Sequence, residues 1–402
     1  MRMAKPDKAH LFILLIVLVL LGSGVYIFFQ LRTNQISAAI EKNQTLSFLL
    51  LVREGEELLF SELVLFHPDT GKSGIIDIPL SLGVIDPREN KMMPIKGLYN
   101  GDDETLFLKK VSDLIGFEVE HTLSVGTENL VKFVDLLEGL EFFIANPVEM
   151  ISDDKMVIIP SGSVVLDGEK AVTYVTYTDP QERQNEEISR KQKFVHSMLR
   201  KIGQMSDLFQ HREVRKLLHQ ITDSSLSDRA LDSLVAAFGD LDYDQVIYQR
   251  VLGNSRLVNE EELLFPYYEG RLIKESLQQT LTALTNREIV NTKELSVSIE
   301  ILNGTGRSGL AGRTSQIFQS FGYDVVRVGN ADHSEYEKTT VTGREGELAA
   351  AQQVANVIQC SNVETRKEEL PGDELVEPMA ASEVVDVTII LGKDFDGRYC
   401  KN

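Results

Sequence analysis

The chain has no tryptophan, two cysteines and seven histidines in 402 residues, and fewer basic than acidic side chains. Each scarcity excludes something. With 41 Lys and Arg against 61 Asp and Glu, the formal charge is -20. Nucleic acid is therefore excluded as a partner, because phosphate backbones bind where cations cluster and release counterions there. The same acidity offers nothing to anionic lipid headgroups, so any membrane contact rests on apolar anchoring. Cys360 and Cys400 are too few for a disulfide scaffold. With no CxxC and the histidines scattered, they form no zinc-ligand pattern either. In an oxidising compartment the two either pair, tying the C-terminal tail to its domain, or stay apart, and both readings stand. No nucleophile elbow is present for serine-hydrolase chemistry. The acidic turn Asn100-Gly101-Asp102-Asp103-Glu104 lacks the spacing and central glycine of a calcium loop.

One long apolar run is present. Leu11 to Phe29 is 19 residues without a charge. At about 1.5 Å per residue it extends roughly 28 Å, close to the hydrocarbon thickness of a bilayer. It reads as a single transmembrane helix. The rival, a cleaved signal peptide, has a shorter apolar region and a small-residue cleavage site. Arg2, Lys5 and Lys8 precede the run and keep the N-terminus in the cytoplasm, which places the rest outside. The expected order is a cytoplasmic tail over 1–10, a transmembrane anchor over 11–30 and a stalk over 31–45.

From Leu46 onward short apolar runs alternate with charged turns. Ser47 to Val52, Glu62 to Phe66, Ser73 to Pro79 and Glu120 to Val125 read as strands. Leu106 to Ile115, Glu128 to Leu137 and Glu186 to Met205 read as helices by their three-and-four spacing. This alternation predicts an α/β domain over 46–272. A polar connector follows over 273–294, and a second unit of about 100 residues over 295–402 is long enough for its own core. That unit reads as a small α/β sandwich. It opens with a strand, Ser296 to Leu302, and a helix carrying Leu310, Ile317 and Phe321. A strand from Asp324, an Ala-rich helix from Glu347 and a closing strand, Val384 to Leu391, complete it.

Between that unit's first strand and helix lies Gly304-Thr305-Gly306-Arg307-Ser308-Gly309, a literal GxGxxG. No acidic residue ends the second strand, and the unit is small for a dinucleotide fold. A structural tight turn is the plainer reading. Gly304, Gly306 and Gly309 at a helix N-terminus remain candidates for receiving an anionic glycan or a peptide carboxylate.

The stretch Ser161 to Thr178, with Gly162, Leu166, Asp167, Gly168, Ala171 and Tyr174, resembles a signature of the LytR-CpsA-Psr family. Leu106 to Gly116, Glu120 to Val125 and Leu136 to Glu141 follow that family's pattern in order. Ile301 to Gly306, Gly309 to Ala311, Gly322 to Val325 and Leu391 to Asp394 resemble the domain often appended to it. The resemblance implies a single N-terminal anchor, an α/β domain with a central mixed sheet, and a location in the cell envelope. The activity it implies is Mg²⁺-dependent transfer of a polyprenyl-pyrophosphate-linked glycopolymer onto peptidoglycan by acidic residues and several arginines. Planar guanidinium forks suit that work because they neutralise a pyrophosphate bidentately.

The implied arginine positions are empty of arginine. Phe60 replaces the cation beside Glu62, and Leu80 and Ser81 replace an Arg-Asp pair after Ile78-Pro79. Thr176 and Thr178, expected on one face of an extended segment, replace an Arg-x-Arg pair. Gln184 and Glu187 replace an Asp and an Arg at the start of a helix where Arg190 is kept. Glu62 remains the candidate Mg²⁺ ligand, because a hard cation accepts any carboxylate oxygen. Arg53, Arg88, Arg183 and Arg190 are the candidate substitutes.

Three functions stay open. The first is a degenerate member that binds an envelope ligand or partner, the second an active phosphotransferase, and the third a tether between membrane and wall. Two of those arginines and a carboxylate at the mouth of an apolar cavity favour the transferase, and an uncharged mouth speaks against it.

Overall fold

A computed structural model of the chain describes residues 17–18, 34–101, 103–144, 147–152, 155–177, 184–287, 297–344, 348–366 and 385–401. The apolar run Leu11 to Phe29 lies outside them except for Val17 and Leu18, which are helical. Among the described residues no helix is long and apolar enough to cross a membrane.

The larger unit is a mixed six-stranded sheet between two helical layers. Its strands are β1 (Leu46–Glu54), β2 (Glu57–Phe66), β3 (Ser73–Asp77), β4 (Thr122–Gly126), β5 (Asp223–Ser224) and β6 (Val246–Arg250), in the order β5-β4-β1-β2-β3-β6. Pairs β1–β2, β2–β3 and β4–β5 are antiparallel, while β1–β4 and β3–β6 are parallel. Strand alternation sends residues to opposite faces. Phe48, Leu50, Phe60, Val64, Phe66 and Ile75 enter one buried cluster, and Leu49, Leu51, Leu63, Leu65, Ile76 and Ile78 enter the other. Sheets covered on both sides show such continuous apolar runs.

On the first face lie α3 (Thr127–Leu136), α4 (Gly168–Thr176), α5 (Gln184–Gln204) and α7 (Asp228–Ala237), with α6 (Arg212–Ile221) beside them. On the second lie α2 (Thr105–Ile115) and α8 (Arg271–Thr285). The described part of the stretch expected as a stalk is a docked helix, α1 (Gln35–Glu41). Asn34 caps it by accepting from Ser37 N at 2.9 Å, the same side chain donates to Ser233 Oγ on α7 at 2.9 Å, and Ile36 is buried. The described first half of the expected connector is α8, whose Leu277 and Leu284 are fully buried. Its C-terminal end is closed by buried Lys72, which donates to Asn286 O at 2.5 Å and to Ala283 O at 3.4 Å. A cation there is favoured by the helix dipole.

The C-terminal unit is a five-stranded sheet of β7 (Ser298–Asn303), β8 (Asp324–Asn330), β9 (Thr340–Arg344), β10 (Val363–Arg366) and β11 (Val387–Leu391), ordered β8-β7-β11-β9-β10. Helices α9 (Leu310–Ser320) and α10 (Leu348–Val357) cover one face, as the sandwich reading requires. Strands β9 and β10 were not expected from the sequence. Cys360 and Cys400 are joined, with Cα atoms 5.2 Å apart, which realises the paired alternative.

The two units share apolar packing. Ile317 of α9 and Phe321, which caps it, belong to the same buried cluster as Leu277 and Leu284 of α8. Gln279 on α8 donates to Val357 O at 2.5 Å, and Tyr268 donates to Gln316 Oε1 at 2.8 Å. Phe321→Ala is therefore expected to destabilise the whole chain by about 3 kcal/mol. Urea unfolding followed by circular dichroism should show one shifted transition, and two separate transitions would mean the units do not share a core.

Candidate functional site

Register lays a charged row across the buried sheet. Glu62 on β2 stands opposite Leu50 on β1 and Asp77 on β3, and Asp77 stands opposite Arg250 on β6. All three ionisable groups follow apolar residues of the first face: Glu62 alternates with Phe60 and Val64, Asp77 with Ile75, and Arg250 with Tyr248 and Val246. Helix α5 lies over that face. Its Gln192 donates to Ile75 O at 3.1 Å and to Gln249 O at 2.6 Å, which pins the helix to β3 and β6. Beside it, Lys191 pairs with Glu187 at 2.5 Å and lies 5.9 Å from the centre of the Phe60 ring.

This row is poorly satisfied. Glu62 is wholly buried, and neither of its side-chain oxygens has a hydrogen-bond partner, nor does Nε of buried Arg250. Burial, and next the neighbouring Asp77, push the Glu62 carboxyl well above the usual carboxylate range, against an opposing pull from Lys191. Burial likewise raises Asp77 to about 6, with Lys191 and Arg250 opposing and Glu187 adding to the rise. Burial lowers Arg250 from its ordinary value, and Asp77 and Asp324 counteract that.

The row borders a cavity of about 510 Å³. Its apolar wall includes Leu58, Phe60, Ile78, Leu80 and Ile188. Its ionisable lining consists of Glu57, Asp77, Glu187, Glu261 and Glu262 with Lys96 and Lys191. The mouth is thus charged, but by carboxylates and lysines. Lys96 faces Glu57 at 3.5 Å and Lys191 is paired with Glu187, so both cations already have anionic neighbours.

The described candidate arginines lie elsewhere. Arg53 pairs with Asp223 at 2.5 Å and donates to Gly55 O at 2.8 Å, toward the β5 edge. Arg88 is largely exposed and pairs with Asp86 at 3.2 Å. Arg190 is buried on α5, where it donates to Tyr174 O and, at 2.9 Å, to Tyr177 O, with its guanidinium 5.5 Å and 5.9 Å from those rings. It holds the end of α4 to α5. Arg183 and Thr178 lie outside the described residues. Thr176 corrects the expected extended segment: it ends α4, and its hydroxyl turns back to Val172 O at 2.8 Å.

The other replaced positions are spread across the site. Phe60 packs edge-on against Phe194, with centroids 6.4 Å apart. Leu80 and Ser81 line the cavity, as does Glu187. Of the named residues, Phe60, Leu80, Ser81 and Glu187 come together there and Glu62 lies behind them beside Asp77, while Arg53, Arg88 and Arg190 are not in the lining.

The glycine loop is far from this row. Gly304 is packed so closely under Tyr336 and Leu391 O that an added Cβ would lie 2.6 Å and 2.7 Å from them. Gly306 and Gly309 have positive φ. Arg307 between them donates to Phe395 O at 2.7 Å, so the loop clamps the C-terminal segment and reads as a structural turn.

A Mg²⁺ ion does not fit the described donors. No group of three or more His, Cys, Asp or Glu side chains among the described residues is placed to hold a metal. Glu62 and Asp77 are two carboxylates on a dry sheet face under Lys191 and Arg250, whereas Mg²⁺ keeps several of its waters. Sequence reasoning missed Asp77 and Arg250. An acid inside Gly-Ile-Ile-Asp-Ile was the available signal for Asp77, while Arg250 ends a strand that was not anticipated.

The model of the LytR_cpsA_psr family matches residues 81–282, and a second model, described as LytR cell envelope-related transcriptional attenuator, matches residues 296–395. The cell wall biosynthesis protein LcpA of Corynebacterium glutamicum is 22% identical over 263 residues. That alignment covers 62% of this chain and 50% of LcpA, so the chain spans about half the length of the relative it matches. Among solved structures, protein gbs0355 of Streptococcus agalactiae superposes with a TM-score of 0.52 at 15% identity, over 61% of this chain and 91% of that one. TagV of B. subtilis does so with 0.51 at 12%, over 60% and 98%. Likeness at such identities speaks for the fold alone.

Two outcomes follow from the geometry. Asp77 binds its proton more tightly when folded, at about 6, than near 3.8 unfolded, so its contribution to stability is greatest below the unfolded value and is lost as pH rises through 6. Urea midpoints should accordingly fall between about pH 4 and pH 6 and level off above that, and Asp77→Asn should flatten the fall. Arg190→Ala should cost about 2 kcal/mol by removing the donors that tie the Tyr174 and Tyr177 carbonyls to α5, a loss measurable by the same unfolding experiment.

Proposed function

The chain belongs to the LytR-CpsA-Psr family, and from that premise we propose that it is a degenerate member, one that binds an envelope ligand without transferring a pyrophosphate-linked glycopolymer. LcpA is named for cell wall biosynthesis; on this reading the present chain works in the same compartment, held there by the apolar run Leu11 to Phe29. One observation carries the reading. Among the described residues lining the cavity there is no arginine, and carboxylates outnumber lysines by five to two.

A pyrophosphate in that cavity would face like charges in a setting where Coulomb energies exceed those in water. The family's transfer needs preorganised donors aimed at the charge that develops on phosphate oxygens. Phe60 and Leu80 supply none, and Lys96 and Lys191 stand beside Glu57 and Glu187. Electrostatic stabilisation of this kind supplies much of the rate in such chemistry, and loss of one donor costs about a hundredfold or more. Loss of several leaves a binding fold.

The full chain, incubated with geranyl pyrophosphate and Mg²⁺, is therefore expected to release no phosphate above a protein-free blank. Release that disappears in Glu62→Gln would establish the transferase in its place.

A further inference from the structure

The cavity pairs an apolar wall with an acidic floor, and behind that floor sits an acceptor that nothing among the described residues satisfies. Glu62 is fully buried, and both of its oxygens lack partners. Its strand register places it directly beside Asp77, which lines the cavity on the same sheet face. A buried polar group left without a hydrogen bond is costly. Resting on the reading of the cavity as a binding site, we propose that it takes a primary ammonium carried on an apolar stem. The ammonium sits against Asp77, with Glu62 directly behind it in the row, and the stem lies along Phe60, Ile78, Leu80 and Ile188.

The chemistry matches on three counts. An ammonium has three donors and no acceptor, the complement of carboxyl oxygens that lack partners. A cavity of about 510 Å³ is the size of a small-molecule site, larger than a bare ion needs. The apolar wall offers nothing to the water shell a divalent cation retains, but it covers a hydrocarbon stem. Lys191 does not fill the role itself, because its ammonium is paired with Glu187 at 2.5 Å.

The charged groups that line the cavity around the bound ammonium are Glu57 from β2, Asp77 from β3, Lys191 and Glu187 from α5, and Lys96, Glu261 and Glu262, with Glu62 and Arg250 flanking Asp77 in the row behind. Burial keeps Asp77 protonated up to about 6, so binding displaces a proton and tightens as pH rises past that value.

Isothermal titration of the full chain with n-hexylammonium chloride tests the assignment. One site is expected, with affinity rising from about pH 5 to pH 7.5 and proton release visible from the dependence on buffer ionisation heat. Asp77→Asn should weaken binding about tenfold or more, as loss of a charge-assisted bond does, while Glu62→Gln, which replaces a protonated carboxyl behind it, should weaken it less, with circular dichroism verifying that both variants fold. No heat up to about 1 mM ligand overturns the proposal, as does equal affinity in both variants. Binding of Mg²⁺ alone that depends on Glu62 also overturns it, in favour of a metal site. Geranyl pyrophosphate is titrated in parallel. If neither probe binds, only the ligand assignment fails; if geranyl pyrophosphate binds with Mg²⁺, the degenerate reading fails as well.

Discussion

Glu62 and Asp77 face each other across two antiparallel strands that are buried on both sides, next to Arg250 on a third. Register fixes that juxtaposition. A slip of one residue would turn Glu62 onto the opposite face, against Leu49, Leu51 and Ile76 of the neighbouring strands, and Phe60, Val64 and Phe66 would leave the cluster they fill. The hydrophobic alternation that builds the core therefore also forces two carboxyls together where water is scarce. Their raised proton affinity, the acid cavity in front of them and the cover of α5 all follow from the same pairing.

Counter-charge in this region comes from lysine and one buried arginine, each constrained. Lys191 is held by Glu187, and Gln192 beside it holds α5 against β3 and β6. Arg250 ends the edge strand β6, on which Asp324 of the C-terminal unit also acts. Because Ile317 and Phe321 complete the core beneath α8, that unit is part of the surroundings of the row. Arg190, by contrast, spends its donors on the carbonyls of Tyr174 and Tyr177 and stabilises the junction of α4 and α5.

Much of the scaffold was legible in the sequence. The helices Thr105–Ile115, Thr127–Leu136 and Gln184–Gln204 and the strands Leu46–Glu54 and Ser73–Asp77 announce themselves through periodicity and apolar runs. Phe60, Leu80 and Glu187, singled out in the sequence, each fall at the cavity. What could not be read was which distant residues meet. Arg53 and Arg190 looked like free cations, yet Asp223 lies 170 positions from Arg53 and takes it up. Asn34 was part of a polar stalk until Ser233 supplied a partner 199 positions away. Asp77 and Arg250 become neighbours only through the parallel pairing of β3 with β6, which no local pattern encodes.

Glu62 and Asp77 share a solvent-excluded environment, and infrared difference spectroscopy reads that environment directly. Subtracting the spectra of Glu62→Gln and Asp77→Asn from that of the full chain across a pH titration isolates the two carboxyl bands. A protonated carboxyl band from Glu62 is expected to persist well above the range where solvated carboxyls ionise, while that of Asp77 disappears near pH 6. If both bands vanish near pH 4, where solvated carboxyls titrate, the two groups do not share a dry sheet face, and the site described around them is refuted.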